Sequence, residues 1–259
     1  MPSHSDSPEY LKKKKFFSQL LTIYGRKPVL EALTTDGVDV YRLHLSDSNK
    51  KAAIIDEIIA NAKQKDAEIL FHSKDSLARI SKNKKQDQGV AIDLKLSGFQ
   101  SLENFCHEHK KPFELIALDN ITTPQNLGMI IRSVCASPLT GLLLPQKGCA
   151  KLDSLVIKAS AGTIFKANII RCDSLPQALQ QLTTVKKASI IGLDVNTDTH
   201  LAQLTSEENK VFVLGNESEG LSKEVSATCH KSVKIPMSRG VESLNVAITA
   251  GLIAFRNVL

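Results

Sequence analysis

Residues 211–221 read Val211-Phe212-Val213-Leu214-Gly215-Asn216-Glu217-Ser218-Glu219-Gly220-Leu221, an apolar run that leads into a turn with two glycines and two acids. The apolar run predicts a buried strand, and a glycine at its end lets a ligand approach the backbone closely. Two carboxylates do not suit a phosphate-binding loop, which needs bare N–H groups and positive charge. The segment indicates a site for a neutral or cationic ligand, and taken alone it is equally compatible with an ordinary acidic turn.

A similar strand–turn–helix pattern occurs in residues 118–132, which read Leu-Asp-Asn-Ile-Thr-Thr-Pro-Gln-Asn-Leu-Gly-Met-Ile-Ile-Arg. Thr122 or Thr123 is predicted to cap the helix, and the proline that follows is tolerated in a first helical turn. Asn126 and Arg132 are the polar candidates. Because six residues give a net rotation of about 240°, these two side chains do not share one helical face, but they can flank one cleft. A capped helix with an exposed arginine would give the same pattern.

A third such segment, residues 235–247, runs from Ile-Pro-Met to Ser-Leu-Asn-Val-Ala. Ser243 is predicted to cap the last helix, assigned to residues 243–259, and Asn245 falls in its first turn. Polar side chains and free N–H groups at a helix start can hold a ligand. A plain helix cap explains this segment equally well when it is taken by itself.

Around these segments, strand-like and helical stretches alternate from Pro112 onward. Strands are predicted at 114–118, 141–144, 168–171, 189–193, 211–214 and 232–235. Helices are predicted between them at 124–137, 153–161, 175–185 and 222–228. The alternation predicts an α/β fold with a mainly parallel sheet and helices on both faces.

Residues 21–98 carry a smaller α/β pattern. Its predicted strands are 40–45, 69–71 and 89–96, and its predicted helices are 27–34, 51–65 and 73–80. On the second of these helices, one side is apolar and consists of Ile54, Ile55, Ile58, Ile59 and Ala62. Residues 1–20 are expected to form a loosely held basic segment, and the polar stretch 99–111 is interpreted as a linker.

Composition excludes several classes of protein. The 259 residues are 42% hydrophobic, which is enough for a packed core, and no apolar run approaches the ~18 residues of a membrane span. Five scattered cysteines without a CxxC pair argue against a disulfide framework or a zinc site, and Cys-His-Glu-His at 106–109 has poor spacing for a tetrahedral metal. Because the N-terminus lacks the features of a secretory signal, a reducing compartment, most simply the cytoplasm, is expected.

In combination, the three segments resemble the SpoU (TrmH-like) branch of the SPOUT RNA methyltransferases. Its first motif, Asn-x-Gly followed by Arg, corresponds to residues 126–128 and Arg132. Its second, Gly-x-Glu-x-x-Gly-Leu, corresponds to residues 215–221, and its third, Ile-Pro-Met followed by Ser-Leu-Asn-Val, corresponds to 235–237 and 243–246. The resemblance covers about residues 113–259, and the stretches 24–32 and 88–91 are similar to the added substrate-binding domain of rRNA-modifying members.

The resemblance implies a methyltransferase domain over residues 112–259 with a C-terminal trefoil knot, preceded by a small RNA-binding domain over residues 21–98. It also implies S-adenosylmethionine as the methyl donor, a ribose 2′-OH of RNA as the acceptor, and a homodimer with an active site completed across the interface. No metal is expected, given the spacing of the cysteines and histidines. The leading expectation is a guanosine of large-subunit (23S) rRNA. A tRNA guanosine 2′-O-methyltransferase, a ribosome-targeting resistance methyltransferase and an RNA-binding assembly factor without catalysis remain alternatives.

Roles for individual side chains follow from the same resemblance. The slot for adenine is expected to be lined by Leu214, Gly215, Ile235, Met237 and Leu244. The polar site residues are expected to be Asn126 and Ser243, which order the site, Asn245 at the donor end, Glu217 as a hydrogen-bonding group, and Arg132 on the ribose-phosphate. Because a guanidinium stays protonated and has no acceptor atom, we expect Arg132 to orient the phosphate and not to accept a proton.

Charge gives a weaker indication of an RNA partner. The formal net charge is +6, and lysine clusters in the first third of the chain would attract phosphate through long-range electrostatics. A soluble surface that happens to be rich in lysine would have the same composition. The candidate RNA-binding residues are Lys12, Lys13, Lys14, Lys15, Arg26, Lys27, Lys84, Lys85 and Arg132.

Overall fold

The computed structural model describes residues 16, 20–36, 38–95, 99–194, 197–201 and 209–258. The chain divides into two compact units, Met1–Phe99 and Gln100–Leu259. Except for Phe16 and Leu20, the segment 1–20 that was expected to be loosely held lies outside the described residues. Among the helices that the structure describes, none has both the length and the apolar character needed to cross a bilayer.

The first unit is built on a four-stranded sheet. Its strands are β1 (Leu20–Tyr24), β2 (Asp39–Ser46), β3 (Glu68–His72) and β4 (Val90–Lys95), in the spatial order β1-β4-β2-β3. Strand β4 is antiparallel to both of its neighbours, whereas β2 and β3 are parallel. As a result, β1, β2 and β3 all end at the edge of the sheet where β4 begins. The short strand β1 was not predicted.

In the described part of the first unit, three helices accompany this sheet. They are α1 (Arg26–Thr34), α2 (Ala53–Gln64) and α3 (Lys74–Ser81), and each agrees with its predicted range to within two residues. Helix α2 buries Ile55, Ile58 and Ala62. These positions are three and four residues apart, so they form one face of the helix, as the periodicity predicts.

The second unit is built on a seven-stranded sheet. Its strands are β5 (Phe99–Ser101), β6 (Glu114–Leu118), β7 (Gly141–Pro145), β8 (Ile169–Cys172), β9 (Ser189–Leu193), β10 (Lys210–Leu214) and β11 (Lys231–Val233). Their spatial order is β11-β9-β10-β6-β7-β8-β5. The pairings described among β6–β11 are all parallel, so the predicted mainly parallel sheet is confirmed.

Helices follow most strands of this sheet. They are α4 (Leu102–Glu108), α5 (Pro124–Cys135), α6 (Ser154–Ala159), α7 (Leu175–Lys186), α8 (Lys223–Ser226) and α9 (Val246–Phe255), with a 3-10 turn at Thr163–Phe165. Residues 115–118 of the central strand β6 are fully buried, although successive side chains point to opposite faces. Both faces of β6 are therefore covered, which explains its continuous apolar sequence.

The prediction of a linker at residues 99–111 is wrong, because β5 and α4 lie within it. Helix α4 begins at a side-chain cap, in which Ser101 Oγ accepts the N–H of Asn104 at 3.2 Å. Leu102 and Phe105 are buried in the core of the second unit. Two core contacts in a seven-residue helix are too few to give a periodic signal in a polar sequence.

Candidate active site

The three polar segments follow strands on either side of a reversal in strand order. The chain leaves β6 to build β7 and β8 on one side, and it builds β9, β10 and β11 on the other side. The order therefore reverses between β6 and β10, and parallel α/β sheets bind ligands at the carboxyl ends of their strands at such a point. The segments after β6, β10 and β11 supply Asn126, Glu217 and Asn245 to this edge.

The side chains of Asn126, Glu217 and Asn245 form one hydrogen-bonded cluster, which we call the amide–carboxylate cluster. Asn126 Nδ2 donates to Glu217 Oε1 at 2.9 Å, and Asn245 Nδ2 donates to the same oxygen at 2.8 Å. Asn245 Nδ2 also donates to Asn126 Oδ1 at 3.1 Å, and the backbone N–H of Val246 donates to Glu217 Oε1 at 3.2 Å. Oε1 thus accepts three donors, and no described residue donates to the other carboxylate oxygen, Oε2.

Asn245 is also the N-cap of α9, because its Oδ1 accepts the N–H of Ala247 at 2.9 Å. The prediction that Ser243 caps this helix is therefore wrong, and the helix starts later than predicted. Ser243 instead lies in the non-helical segment before it. At the start of α5, Thr123 occupies the N-cap position, as predicted. Its side chain forms no hydrogen bond to the helix, so it does not act as a side-chain cap.

The turn after β10 is closed by its own backbone. Asn216 and Gly220 exchange two backbone hydrogen bonds of 2.9 Å, and Asn216 Oδ1 accepts the N–H of Ser218 at 2.8 Å. Gly220 has a φ of +71°, in the left-handed region that favours glycine. At Gly215, a Cβ atom would lie 2.3 Å from the carbonyl carbon and oxygen of Gly220. Both glycines are thus required by the shape of the turn.

Asp119, which the sequence reasoning did not single out, attaches this turn to β6. Its Oδ2 accepts the N–H of Ser222 at 2.7 Å, and its own N–H donates to the carbonyl of Leu214 at 2.9 Å. Next to it, the carbonyl of Asn120 accepts from Asn216 Nδ2 at 3.0 Å. Asp119 is buried. The sequence feature that could have identified Asp119 is its position directly after a buried strand, at the edge of the sheet where ligands bind.

A cleft of about 580 Å³ opens beside this turn. The five residues expected to form an adenine slot all line it: Leu214, Gly215, Ile235, Met237 and Leu244. Glu217 and Ser243 line it as well. Asn126 and Asn245 are not among the lining residues and connect to the cleft through Glu217.

The described lining of the cleft is mainly acidic. It includes the carboxylates of Asp194, Glu217, Glu219 and Glu242, and one lysine, Lys234. Its wall also includes Cys229, whose thiol pKa is raised to about 11, mainly by burial and further by the nearby Asp119 carboxylate. The thiol is therefore uncharged at neutral pH. The combination of apolar walls and carboxylates suits a ligand with an apolar body and a positive charge.

Arg132 does not join the cluster. It is exposed on α5, and its side chain forms no hydrogen bond or ion pair with any described residue. The reason is geometric, since six helical residues separate Asn126 and Arg132 by a rise of about 9 Å and a large rotation. The structure thus brings the residues of the three motifs together with the exception of this arginine.

The predicted RNA-binding residues have different surroundings. Lys12, Lys13, Lys14 and Lys15 lie outside the described residues, and Lys27 and Lys85 are exposed. Arg26 is half-buried, and its Nε donates to the carbonyl of Gln88 at 3.2 Å. Lys84 Nζ contacts Asp75 Oδ1 at 2.7 Å, so this lysine is already paired with a carboxylate. Within the described part of the chain, no group of three or more His, Cys, Asp or Glu side chains is arranged to hold a metal ion.

Comparisons with known sequences match both units. Residues 114–255 match the profile of the SpoU rRNA Methylase family, and residues 22–100 match that of RNA 2′-O ribose methyltransferase substrate binding. A protein of Mycolicibacterium vanbaalenii named "Uncharacterized tRNA/rRNA methyltransferase" is 33% identical over 234 residues, covering 89% of this chain and 74% of that protein. A Mycobacterium leprae protein of the same description is 32% identical, covering 90% and 75%.

Solved structures share the fold. The SpoU methyltransferase AviRb from Streptomyces viridochromogenes, in complex with AdoMet, has a TM-score of 0.65 and 21% identity over 95% of this chain and 92% of that one. An rRNA methyltransferase from Sinorhizobium meliloti has a TM-score of 0.61 and 21% identity over 96% and 91%. At these identities the likeness concerns the fold alone.

Proposed function

Because this chain belongs to the SpoU rRNA methylase family, we propose that it transfers a methyl group from S-adenosylmethionine to a ribose 2′-OH of RNA. It is an RNA methyltransferase whose cofactor is S-adenosylmethionine. We place the target on a guanosine of large-subunit rRNA. The observation that carries the proposal is the amide–carboxylate cluster at the rim of an acidic cleft, which is where residues of three separate motifs meet.

The cleft suits this cofactor in size and charge. Its volume of about 580 Å³ falls in the range of about 300–1,000 Å³ that small-molecule sites occupy. Leu214, Ile235 and Met237 would hold the adenine ring, and backbone groups of Gly215 and Leu244 would contact its polar edge. The carboxylates of the wall would attract the positive charge of the sulfonium.

When bound, the cofactor supplies an electrophilic methyl carbon. The contribution of the protein is to fix the acceptor hydroxyl beside it, and fixed orientation of two reactants is worth up to ~7–11 kcal/mol of barrier. Three donors hold Oε1 of Glu217, so Oε2 has a fixed direction and can accept a hydrogen bond from a ligand. Asn126 and Asn245 act through Glu217 by holding it in place.

Arg132 would orient the RNA phosphate. A guanidinium carries no free lone pair and is a poor proton acceptor, but it binds phosphate through two parallel hydrogen bonds. Helices α5 and α9, which pack against each other, expose three apolar side chains: Met129 is 46%, Ile248 51% and Leu252 40% exposed. We assign this apolar surface to a homodimer interface, as in the resemblance noted above. A second protomer would then bury the surroundings of Arg132 and strengthen its hold on phosphate.

A trefoil knot within residues 112–259 is part of the same proposal. It is supported by the family resemblance and by the lining of the cleft, which comes largely from two separate parts of the chain. These are residues 214–221 at the end of β10 and after it, and Lys234, Ile235, Met237, Glu242, Ser243, Leu244 and Val246 after β11.

The test is methyl transfer from radiolabelled S-adenosylmethionine to unmodified 23S rRNA and, separately, to unmodified tRNA. We expect label in the rRNA, in a nucleotide that resists alkaline hydrolysis at its 3′ side because the 2′-oxygen is blocked. Glu217→Gln is the matched control, in which we expect methyl transfer to fall by about 10–100-fold. If the labelled methyl group were found only on bases, in the rRNA and in the tRNA alike, ribose methylation would be contradicted.

A tRNA ribose is the second candidate, because the names of the relatives include tRNA as well as rRNA. Label confined to tRNA would select it. A catalytically silent assembly factor is distinguished by calorimetry, since it would bind RNA without measurable affinity for S-adenosylmethionine.

A further inference from the structure

The end of α9 that lies away from the amide–carboxylate cluster contacts a buried group of three charges. Helix α9 starts beside Glu217 and ends at Arg256, whose Nη2 donates to Glu114 Oε1 at the start of β6. Lys210, at the start of β10, places its Nζ 3.7 Å from the same carboxylate oxygen. We call Glu114, Lys210 and Arg256 the buried ion cluster. Because Lys210 and Glu114 are neighbours in the parallel pair of β10 and β6, α9 runs back along these strands from their carboxyl ends to their amino ends.

The buried ion cluster holds more positive than negative charge. The side chains of Lys210, Arg256 and Glu114 are 4%, 9% and 19% exposed. One carboxylate therefore faces two cations, and neither Lys210 Nζ nor Arg256 Nε has a hydrogen-bond partner among the described residues. Burial of charge without full compensation costs free energy. The arrangement is thus not accounted for by stability alone.

The guanidinium of Arg256 connects the last turn of α9 to two strands. Its Nη1 donates to the carbonyl of Ile253 in the helix at 3.0 Å, and its Nη2 donates to Glu114 in β6. Its Cζ lies 4.5 Å from the centre of the Phe212 ring in β10, which is within the range of a cation–π contact. The arginine therefore fixes the end of the helix against both β6 and β10.

The apolar packing of α9 does less to fix its position along its own axis. Of its ten residues only Thr249 has a polar side chain, and three of the buried ones are Ala247, Ala250 and Ala254. Apolar burial is non-directional, and alanines interlock only weakly with a neighbouring surface. Strand β10, in contrast, is held in register by backbone pairing with β6 and β9. The polar contacts at its two ends therefore decide where α9 lies along these strands.

We propose that Arg256 is a positioning residue for methyl transfer, which holds α9 where Asn245 and the N–H of Val246 meet Glu217. Ten helical residues span about 15 Å, and a helix transmits an axial displacement of one end to the other. The hydrogen bonds of 2.8 and 3.2 Å to Glu217 Oε1 would be lost in a shift of about 1 Å. A misplacement of that size can cost about 100-fold in rate. The inference rests on the proposed function, since it takes the amide–carboxylate cluster as part of the reacting site.

The test begins with Arg256→Met in the full-length protein. We expect this variant to fold, because Lys210 remains beside the Glu114 carboxylate, and urea titration verifies it. Hydrogen–deuterium exchange of the ligand-free protein over residues 244–250 should become about 5-fold faster or more, because α9 is released at its far end. Single-turnover methyl transfer should fall by about 10–100-fold. The affinity for S-adenosylmethionine should fall much less, because most of the cleft lining lies outside α9.

Lys210→Met is the matched control, because it removes the other cation of the same carboxylate and leaves α9 attached. We expect its exchange over residues 244–250 and its rate to stay near wild type. Arg256→Lys is the second variant, and it carries the test should Arg256→Met unfold. A lysine keeps the charge but lacks the planar fork that contacts Ile253 and Glu114 together, so an intermediate rate is expected. Equal losses of rate in Lys210→Met and Arg256→Met would assign the effect to buried charge and overturn the proposal.

A double-mutant cycle tests whether Arg256 acts through Glu217. In the Glu217→Ala background the amide–carboxylate cluster is already lost, so Arg256→Met should lower the rate further by no more than about 2-fold. The losses of stability should instead add, because the two carboxylates bound at the opposite ends of α9 share no partner. Losses of rate that multiply would show that Arg256 acts independently of Glu217, and would overturn the proposal.

The exchange measurement separates this inference from the proposed function, because it involves neither RNA nor cofactor. If methyl transfer falls on a base and not on a ribose, the proposed function fails, and the comparison of rates is made on that product instead. If exchange over residues 244–250 is the same in Arg256→Met and in the wild type, Arg256 does not position α9, whichever atom of RNA is methylated.

Discussion

Asn245 Nδ2 lies 2.8 Å from Glu217 Oε1, and this hydrogen bond joins the start of the last helix to the turn after β10. The same amide group also reaches Asn126 in α5. One carboxylate oxygen therefore connects three chain segments that are 91 and 28 residues apart along the sequence. A substitution of Glu217 should therefore alter the structure of all three segments.

Glu217→Gln replaces the shared acceptor by a neutral amide. Hydrogen bonds to a charged acceptor are about twice as strong as neutral ones, so we expect the cluster to loosen and methyl transfer to fall by about 10–100-fold. The exposed position of Glu217 limits the loss of stability to about 1 kcal/mol. Single-turnover rates measure the effect, and Glu108→Gln, at an exposed position on α4 outside the cleft, is the control, expected to stay near wild type. Equal losses in both variants would contradict a specific role of the cluster.

Gly215→Ala should open the turn after β10. The added Cβ would lie 2.3 Å from two backbone atoms of Gly220, and backbone cannot move away cheaply. We expect a loss of about 1–3 kcal/mol in the free energy of unfolding and a weaker affinity for S-adenosylmethionine. Urea titration and calorimetry measure these two quantities.

Gly251→Ala is the control for that substitution. Gly251 lies inside α9, and its Cβ would have Ser133 Oγ as its nearest neighbour, at 3.9 Å. We expect a gain of about 0.5–1 kcal/mol from helix propensity, without a change in cofactor affinity. If Gly215→Ala changed the free energy of unfolding no more than Gly251→Ala does, the close contact between Gly215 and Gly220 would be contradicted.

Arg132→Lys keeps the charge on α5 and removes the planar fork. Because the Arg132 side chain forms no described hydrogen bond, stability should change by less than about 0.5 kcal/mol. We expect turnover to fall by about 10-fold or more, with unchanged affinity for S-adenosylmethionine. Steady-state kinetics with saturating RNA measure this, and Lys166→Ala, another exposed cation of the same unit, is the control. Near-normal turnover in Arg132→Lys would rule out the two-pronged role.

His72 should make the stability of the first unit depend on pH. Its pKa is lowered from 6.5 by burial and by the neighbouring His44, whose Nδ1 is 2.9 Å from His72 Nε2, while Asp47 acts in the opposite direction. The unfolded chain then binds a proton more readily than the folded one, so stability is present above pH 6.5 and is lost as the pH falls through the lower pKa of the folded state. Asp93, which contacts the other side of His44 at 3.0 Å, is the nearest further charge.

Urea midpoints at pH 7.5 and pH 5 measure this dependence. We expect His72→Gln to reduce the difference between the two midpoints, because the titrating group is removed. His107→Gln, at an exposed position in the second unit, should leave the difference unchanged. An unaltered difference in His72→Gln would assign the pH dependence to other groups.

The alternation of strands and helices could be predicted because most elements are long enough to show their period. Strand β1 and helix α4 were not predicted. In α4 only Leu102 and Phe105 are buried, which is too few to show a helical period in a polar sequence. For the site, the resemblance identified Glu217 and Asn245, but the cap of α9 was assigned to Ser243 because local sequence does not reveal that Asn245 also bonds to Glu217. Asp119 escaped notice because its partner, Ser222, is 103 residues away.

Asp119 and Asn120 have a consequence for protein engineering. The turn after β10 takes its shape from two residues about a hundred positions earlier, through the contacts to Ser222 and Asn216. A chimera that takes this turn from a distant relative keeps the original residues 119 and 120, and so does a library that randomises the turn alone. In both cases the hydrogen bonds between these two residues and the turn would be lost. Transplanting residues 119–120 together with the turn should restore them.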